Sequence, residues 1–161
     1  REKKGGTDTL AVARSLLDQN SDLQIVVAGS SEPEYIAAAK ALPNVHLLGL
    51  VEEASLPHLV RGACSLLFLT PYEGFGIPAL EAMAAGIPVV VSNRASLPEV
   101  VGDAGLIVEP TETEKIADLL TQLINDRAVW EMYSQRGRDR ASVYTWEHCV
   151  EKVISTFEQY G

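Results

Sequence analysis

Apolar positions along this chain fall into two kinds of run that take turns. From Thr9 to Gln19 they recur at helical spacing (Leu10, Val12, Ala13, Leu16, Leu17), with Asp8 placed to cap the start. Leu23 to Ala28 (LQIVVA) is instead a short β-branched run ending at Gly29, which predicts a strand buried on both faces. The alternation then continues. Pro33 to Ala41, Ser55 to Arg61 and Ile77 to Ala85 predict helices, while Val45 to Leu48, Ser65 to Leu69, Pro88 to Ser92 and Leu106 to Val108 predict strands. Pro78 falls near a first helical turn, where a missing N–H costs nothing.

Short buried strands separated by helices imply a parallel sheet covered on both faces, because right-handed crossovers place the helices there. The expected fold class is therefore α/β, a Rossmann-like sheet forming one domain over residues 1–161. The last third differs: Thr113 to Asn125, Asp126 to Arg140 and Trp146 to Tyr160 predict three successive helices with no strand between them. These extra helices are expected to pack on the flank of the sheet or to reach toward another domain, with Tyr144 and Trp146 anchoring the last of them.

Composition sharpens this picture. With 161 residues, 47% of them hydrophobic, the chain can bury one sizeable core. A net charge of -9 opposes affinity for phosphate backbones, so nucleic acid is not an expected partner. The positive charges are unevenly spread. Arg1, Lys3 and Lys4 open the chain, and Arg136, Arg138 and Arg140 read as a solvated helix face. Cys64 and Cys149 lie far apart without His or Cys neighbours at ligand spacing, which predicts free thiols, no metal site and a reducing compartment. His46, His58 and His148 have no partner at a catalytic spacing and read as structural or surface residues. No apolar run reaches the roughly 18 residues of a membrane span, and the start carries no signal-peptide pattern. A cytoplasmic location is expected, leaving room for a peripheral contact with the inner face of a membrane made by portions outside this sequence.

In an open parallel sheet, ligands bind beyond the carboxyl ends of the strands, here the loops after Ala28, Leu48, Leu69 and Ser92. The loop after Leu69 is the richest: Thr70, Pro71, Tyr72, Glu73, Gly74, Phe75, Gly76, then a helix from about Ile77. Gly74 and Gly76 let backbone approach a ligand, and the helix start offers unpaired N–H groups and a positive dipole end. A diphosphate suits such a site, and Lys4, ahead of the first helix, is placed to add a point charge. An ordinary strand-to-helix turn also attracts glycine, and the pattern leaves both readings open. Glu73 and Glu81 flank the loop. Carboxylates repel phosphate, so they make sense as acceptors for sugar hydroxyls or as stabilisers of a developing positive charge. For Glu81, a favourable contact with the helix dipole is the alternative.

The stretch Pro71 to Val91 (PYEGFGIPALEAMAAGIPVVV) resembles the E-x7-E signature and its continuation in glycosyltransferase family 4. Members of that family transfer sugar with retention and have the GT-B architecture of two facing Rossmann-like domains. The likeness extends to Lys4-Gly5, similar to the family's phosphate element, to Ile25–Gly29, similar to its second strand, and to VHLLGLV (Val45–Val51), similar to its base-binding loop. SLPEVV (Ser96–Val101) and LIVEP (Leu106–Pro110) continue it, so nearly the whole chain is covered.

By that resemblance, Glu73 would contact the transferred sugar and Lys4 the departing phosphates, as the catalytic pair. Glu81 would hold the ribose, and Gly74, Phe75, Gly76 and Ile77 would offer backbone to phosphates and sugar. Gly49, Leu50 and Val51 would frame the base, Gly5 would belong to the phosphate element, and Gly29 would lie at the mouth of the cleft. The implied substrate is a nucleotide-diphosphate sugar, with no metal or other cofactor. The stretch Val91–Pro110 is similar to bacterial mannosyltransferases that use GDP-mannose, with UDP-glucose or a UDP-N-acetylhexosamine as alternatives.

The resemblance also marks departures. The family places an Arg on a strand before its Lys-Gly, and an N-terminal acceptor-binding domain before that. Both are expected to be missing here, leaving a fragment that is inactive alone. In the whole enzyme the partner would be that domain together with a glycan or lipid-linked acceptor. A terminal helix in GT-B enzymes often crosses back to the other domain, so an exposed apolar patch there would mark the partner. Competing expectations are a GT-B epimerase or phosphorylase, and a non-catalytic binding module that kept the cleft.

Overall fold

Helix α1 (Gly6–Asp18) begins where Gly5 enters the left-handed region at φ 67°. The computed structural model describes residues 5–160. A Cβ at Gly5 would stand 1.9 Å from the carbonyl oxygen of Leu69, so the chain must pass this point without a side chain. Thr9 secures the turn, its N–H and its hydroxyl both donating to the Gly5 carbonyl at 3.0 and 2.9 Å. Asp8 is therefore not the cap. It sits inside the first turn, where its charge suits the dipole.

After α1 come β1 (Ile25–Ala28), α2 (Pro33–Lys40), β2 (Val45–Gly49), a 3-10 turn (Glu53–Ser55) and α3 (Leu56–Arg61). Then follow β3 (Leu66–Phe68), α4 (Ile77–Ala84), β4 (Val89–Ser92), α5 (Leu97–Val101), a second 3-10 turn (Gly102–Ala104) and β5 (Leu106–Val108). Three helices close the chain: α6 (Thr113–Asn125), α7 (Arg127–Ser142) and α8 (Trp146–Tyr160). The α/β class and parallel strands are as expected, and α5 is an additional helix. None of the helices among the described residues is long and apolar enough to cross a membrane.

The strands form two ladders. β1 pairs with β2, and β3, β4 and β5 pair in that order, every pairing parallel. β4 is central, with all four residues buried, and it feeds two cores. Val89 and Val91 pack with Ala79, Ala82 and Met83 of α4 and Leu97, Val100 and Val101 of α5. Val90, on the opposite face, packs with Val12 and Leu16 of α1 and Ile116, Leu120 and Leu123 of α6. Burying each valine stabilises the fold by about 1.5–3 kcal/mol. Ile25 of β1 and Leu67 of β3 pack against this second core, so α1 roofs both ladders.

β1 is not buried on both faces. Its residues alternate, with Val26 49% exposed, because α1 covers one side and the described residues supply no layer on the other. β1 and β3 share no ladder, and each keeps an edge unpaired among the described residues.

The closing helices divide as well. α6 packs on α1, and α7 packs on α4, where Ser134 Oγ donates to the Gly86 carbonyl at 2.6 Å. In α8 no residue is buried. Val150, Val153, Ile154, Phe157 and Tyr160 line it exposed, and Trp146 is 82% exposed, so it anchors nothing here.

The contact at Gly5 separates two costs that glycine usually hides together. Gly5→Ala should lower stability by about 3 kcal/mol, a steric clash added to backbone strain. Gly49→Ala, where φ is also positive but the space is open, should cost about 1 kcal/mol. Urea midpoints of the two variants measure the difference, and equal shifts would show that the Leu69 contact is not limiting.

Candidate functional site

The two ladders point the same way. α1 starts against the carboxyl end of β3 through Gly5 and leads into the amino end of β1. Asn44, just before β2, donates to the Ala13 carbonyl of α1 at 2.9 Å, tying the amino end of β2 to the far half of the same helix. The carboxyl ends of all five strands therefore open on one side, where ligands of such sheets bind.

On β1 and β2 this end is a ledge of glycine. Gly29 (φ 119°) donates to the Gly49 carbonyl at 2.7 Å, and Gly49 has φ 68°. A Cβ on either would meet nothing within 4 Å, so the backbone here is open to approach. Leu50 follows, 85% exposed, and then the half-buried Val51. An exposed leucine beside open backbone is a suitable apolar surface for a planar ligand.

Beside β3 the chain runs through residues 70–76 into α4. Thr70, fully buried, donates from its hydroxyl to the Tyr72 carbonyl at 2.9 Å, while its own carbonyl accepts from Ser92 Oγ at 2.6 Å. Glu73 is half-buried. One of its carboxylate oxygens accepts from the Gly74 N–H at 3.1 Å, and its carbonyl accepts from Ser96 Oγ at 3.0 Å. Gly76 caps α4 with φ 103° and no side-chain cap bond. Its carbonyl already accepts the N–H groups of Ala79 and Leu80, and Pro78 has none to offer. The N–H groups of Phe75, Gly76 and Ile77 take no acceptor among the described residues. Three successive unpaired donors at a helix start are an arrangement suited to an anion. Glu81 stands exposed in the second turn of α4, its carbonyl accepting from the Ala85 N–H and its carboxylate without a hydrogen-bond or ion-pair partner among the described residues.

The loop after β4 completes the rim. Ala95 has φ 51°, a left-handed backbone on a non-glycine residue, the kind of strain that concentrates at ligand sites. Arg94 Nη2 reaches both carboxylate oxygens of Glu109, at 2.7 and 2.8 Å, and Asn93 donates to the same carboxylate at 3.2 Å. The Asn93 hydrogen bond, aided by the Arg94 charge, holds the Glu109 carboxyl below its ordinary value.

Strand direction thus puts Gly29, Gly49, Leu50, Val51, Glu73, Gly74, Phe75, Gly76 and Ile77 at the carboxyl ends of the two ladders, with Gly5 at the base of the 70–76 loop. Lys4, like Arg1 and Lys3, lies outside the described residues. Among the described residues no group of His, Cys, Asp and Glu is arranged to hold a metal, and both cysteines are free.

One reading is corrected. Arg136, Arg138 and Arg140 are not simply a solvated face. Arg140 donates from Nε to the Val100 carbonyl at 3.0 Å and from Nη2 to the Glu99 carbonyl at 2.6 Å, satisfying the end of α5 that its short helix leaves open. Ser96, Arg94 and Tyr144 are further residues of this region that sequence reasoning does not single out as site residues. The SLPEVV run was the signal for Ser96, and the other two carry none.

The family model described as glycosyl transferases group 1 matches residues 1–140. The chain is 40% identical over 114 residues to the O-antigen chain mannosyltransferase B of Escherichia coli, a match covering 71% of this chain and 30% of that protein. It is 31% identical over 157 residues to the MMP alpha-(1->4)-mannosyltransferase of Mycolicibacterium hassiacum, covering 92% of this chain and 38% of that protein. This chain therefore spans about a third of the length of these relatives. Among solved structures, it resembles the C-terminal domain of a glycosyl transferase group 1 family protein from Francisella tularensis, with TM-score 0.76 and 29% identity, covering 89% of this chain and 80% of that domain.

The Glu109 latch has a defined pH signature. Because its carboxyl is lowered in the folded chain, the stability it adds is present above the ordinary carboxylate range and is lost as pH falls through the lowered folded value. The denaturation midpoint of Glu109→Gln should lie below that of the parent at neutral pH, and the two should converge in strong acid. Identical midpoints at neutral pH would show that the latch adds nothing.

Proposed function

The chain belongs to the group 1 glycosyl transferases, and on that premise we propose that it is the donor-binding domain of a retaining enzyme moving a hexose from a nucleotide-diphosphate sugar to an acceptor hydroxyl. The observation that carries this is the loop opening α4, where the unpaired N–H groups of Phe75, Gly76 and Ile77 follow directly on the Glu73 carboxylate. An anion and a sugar hydroxyl can be held there side by side.

In this reading the diphosphate sits on those three donors at the positive end of α4, and they stabilise the charge that grows on it as the glycosidic bond breaks. Lys4, beside Gly5, and an Arg from a preceding strand add cationic charge to the same oxygens, so neutralisation needs no metal. Glu73 holds the sugar, Glu81 the ribose hydroxyls, Gly49 to Val51 the base, and Gly29 the mouth of the cleft. The acceptor hydroxyl attacks from the face the diphosphate leaves, which retains configuration. The two mannosyltransferase relatives favour mannose, and the likeness of the Val91–Pro110 stretch to enzymes using GDP-mannose favours GDP as its carrier.

Two features support a second, acceptor-binding domain in the whole enzyme. The chain spans about a third of its relatives, and α8 presents an apolar face that the described residues leave uncovered. Without that domain this portion binds donor weakly and does not turn over.

Calorimetric titration with UDP, GDP and ADP tests the site. One nucleotide, GDP on this reading, should bind saturably, and Glu81→Ala should weaken it about tenfold or more, the loss of a hydrogen bond to a charged group. Binding unaffected by the substitution would remove Glu81 from the ribose. In the complete enzyme Lys4→Ala should lower turnover severely, and the anomeric configuration of the product decides retention directly.

A further inference from the structure

A loop that offers backbone N–H groups to an anion is effective only if those groups are held in place before the ligand arrives. The backbone of the 70–76 loop is fixed at three points: the Thr70 hydroxyl on the Tyr72 carbonyl, Ser96 Oγ on the Glu73 carbonyl, and Gly76 against the Leu97 side chain, which a Cβ there would meet at 2.7 Å. Phe75, between the last two points, is 40% exposed and carries two of the three donors with its neighbour Gly76. Its ring meets the ring of Tyr144 edge to face, centroids 5.6 Å apart at 79°.

Tyr144 comes from the far end of the chain, just past α7, where its N–H donates to the Ala141 carbonyl at 3.0 Å. Arg140 grips it twice. Nη2 donates to the Tyr144 hydroxyl at 3.0 Å, and the guanidinium carbon lies 5.3 Å from the centre of the ring. The same guanidinium is bonded to the carbonyls of Glu99 and Val100. α5, which those carbonyls end, begins next to the Ser96 and Leu97 that hold the loop from the other side. The contacts close a circuit: loop to Tyr144, Tyr144 to Arg140, Arg140 to α5, and α5 back to the loop.

We infer that Tyr144, locked by Arg140, is a positioning residue that braces Phe75 and so sets the N–H donors of the 70–76 loop before donor binds. The inference rests on reading that loop as the phosphate site.

Backbone ¹⁵N relaxation on the ligand-free chain tests the brace independently of any activity. Order parameters at Gly74, Phe75 and Gly76 should be near the rigid value of about 0.85 in the parent and fall below about 0.6 in Tyr144→Ala. Tyr144→Phe, which keeps the ring against Phe75 and Arg140 and loses only the hydroxyl, should restore most of the order, whereas Tyr144→Leu, which keeps apolar bulk and fold without the ring, should not. In parallel, the affinity for GDP should fall about twofold to tenfold in Tyr144→Ala, the scale of an aromatic pair, and recover in Tyr144→Phe. A loop already mobile in the parent, or equally rigid in all variants, overturns the brace. Order parameters that respond as expected while no nucleotide binds would keep the brace and sink the phosphate-site reading instead.

Discussion

The arrangement depends on one bare backbone contact. Gly5 passes the carbonyl of Leu69 with no room for a single methyl carbon. That approach sets α1 down at the end of β3, and from there the helix runs back over both ladders, its Val12 and Leu16 joining β4 and α6 in one core. Because the helix is shared, two ladders that have no hydrogen bond in common among the described residues keep a common direction. Their carboxyl ends consequently form a single rim, and the loop that leaves Leu69 toward Glu73 starts at the point where α1 is pinned.

From that rim inward, stiffness is unevenly supplied. β4 is buried on both faces and transmits order to the loops on either side of it through Ser92, whose hydroxyl holds the Thr70 carbonyl. The glycine ledge of β1 and β2 is held mainly by its own ladder and by Asn44 on α1. A ligand spanning both would rest on a firm half and a compliant half. The polar contacts on the firm half come from backbone, which is set by the fold, and the exposed Leu50 on the other half offers shape and apolar area.

Much of this was legible in the chain. A run such as PVVVS reads as a buried strand because three successive valines put apolar, β-branched side chains on both faces, and β4 is buried throughout. The loop from Thr70 to Gly76 was legible because its glycines, carboxylate and following proline have meaning at fixed offsets from a helix start. Burial of β1 was not, since LQIVVA looks the same whether one face or two are covered, and cover depends on neighbours the run does not encode. α5 has five residues, too few for a helical period to register. Arg140 and Tyr144 escaped for another reason. Their partners lie at large sequence separation, at Glu99, Val100 and Phe75, and a basic residue on a helix shows no local sign that it will be spent on distant carbonyls.

The uncovered surfaces carry a consequence for the chain in solution. Unpaired strand edges recruit other strands, and a continuous apolar stripe on a helix recruits other stripes. The described residues offer both, at β1 and β3 and along α8, while the chain's acidic balance of -9 opposes close approach. Self-association is therefore a contest between short-range apolar attraction and long-range charge repulsion, and added salt, which screens only the second, tips it toward assembly.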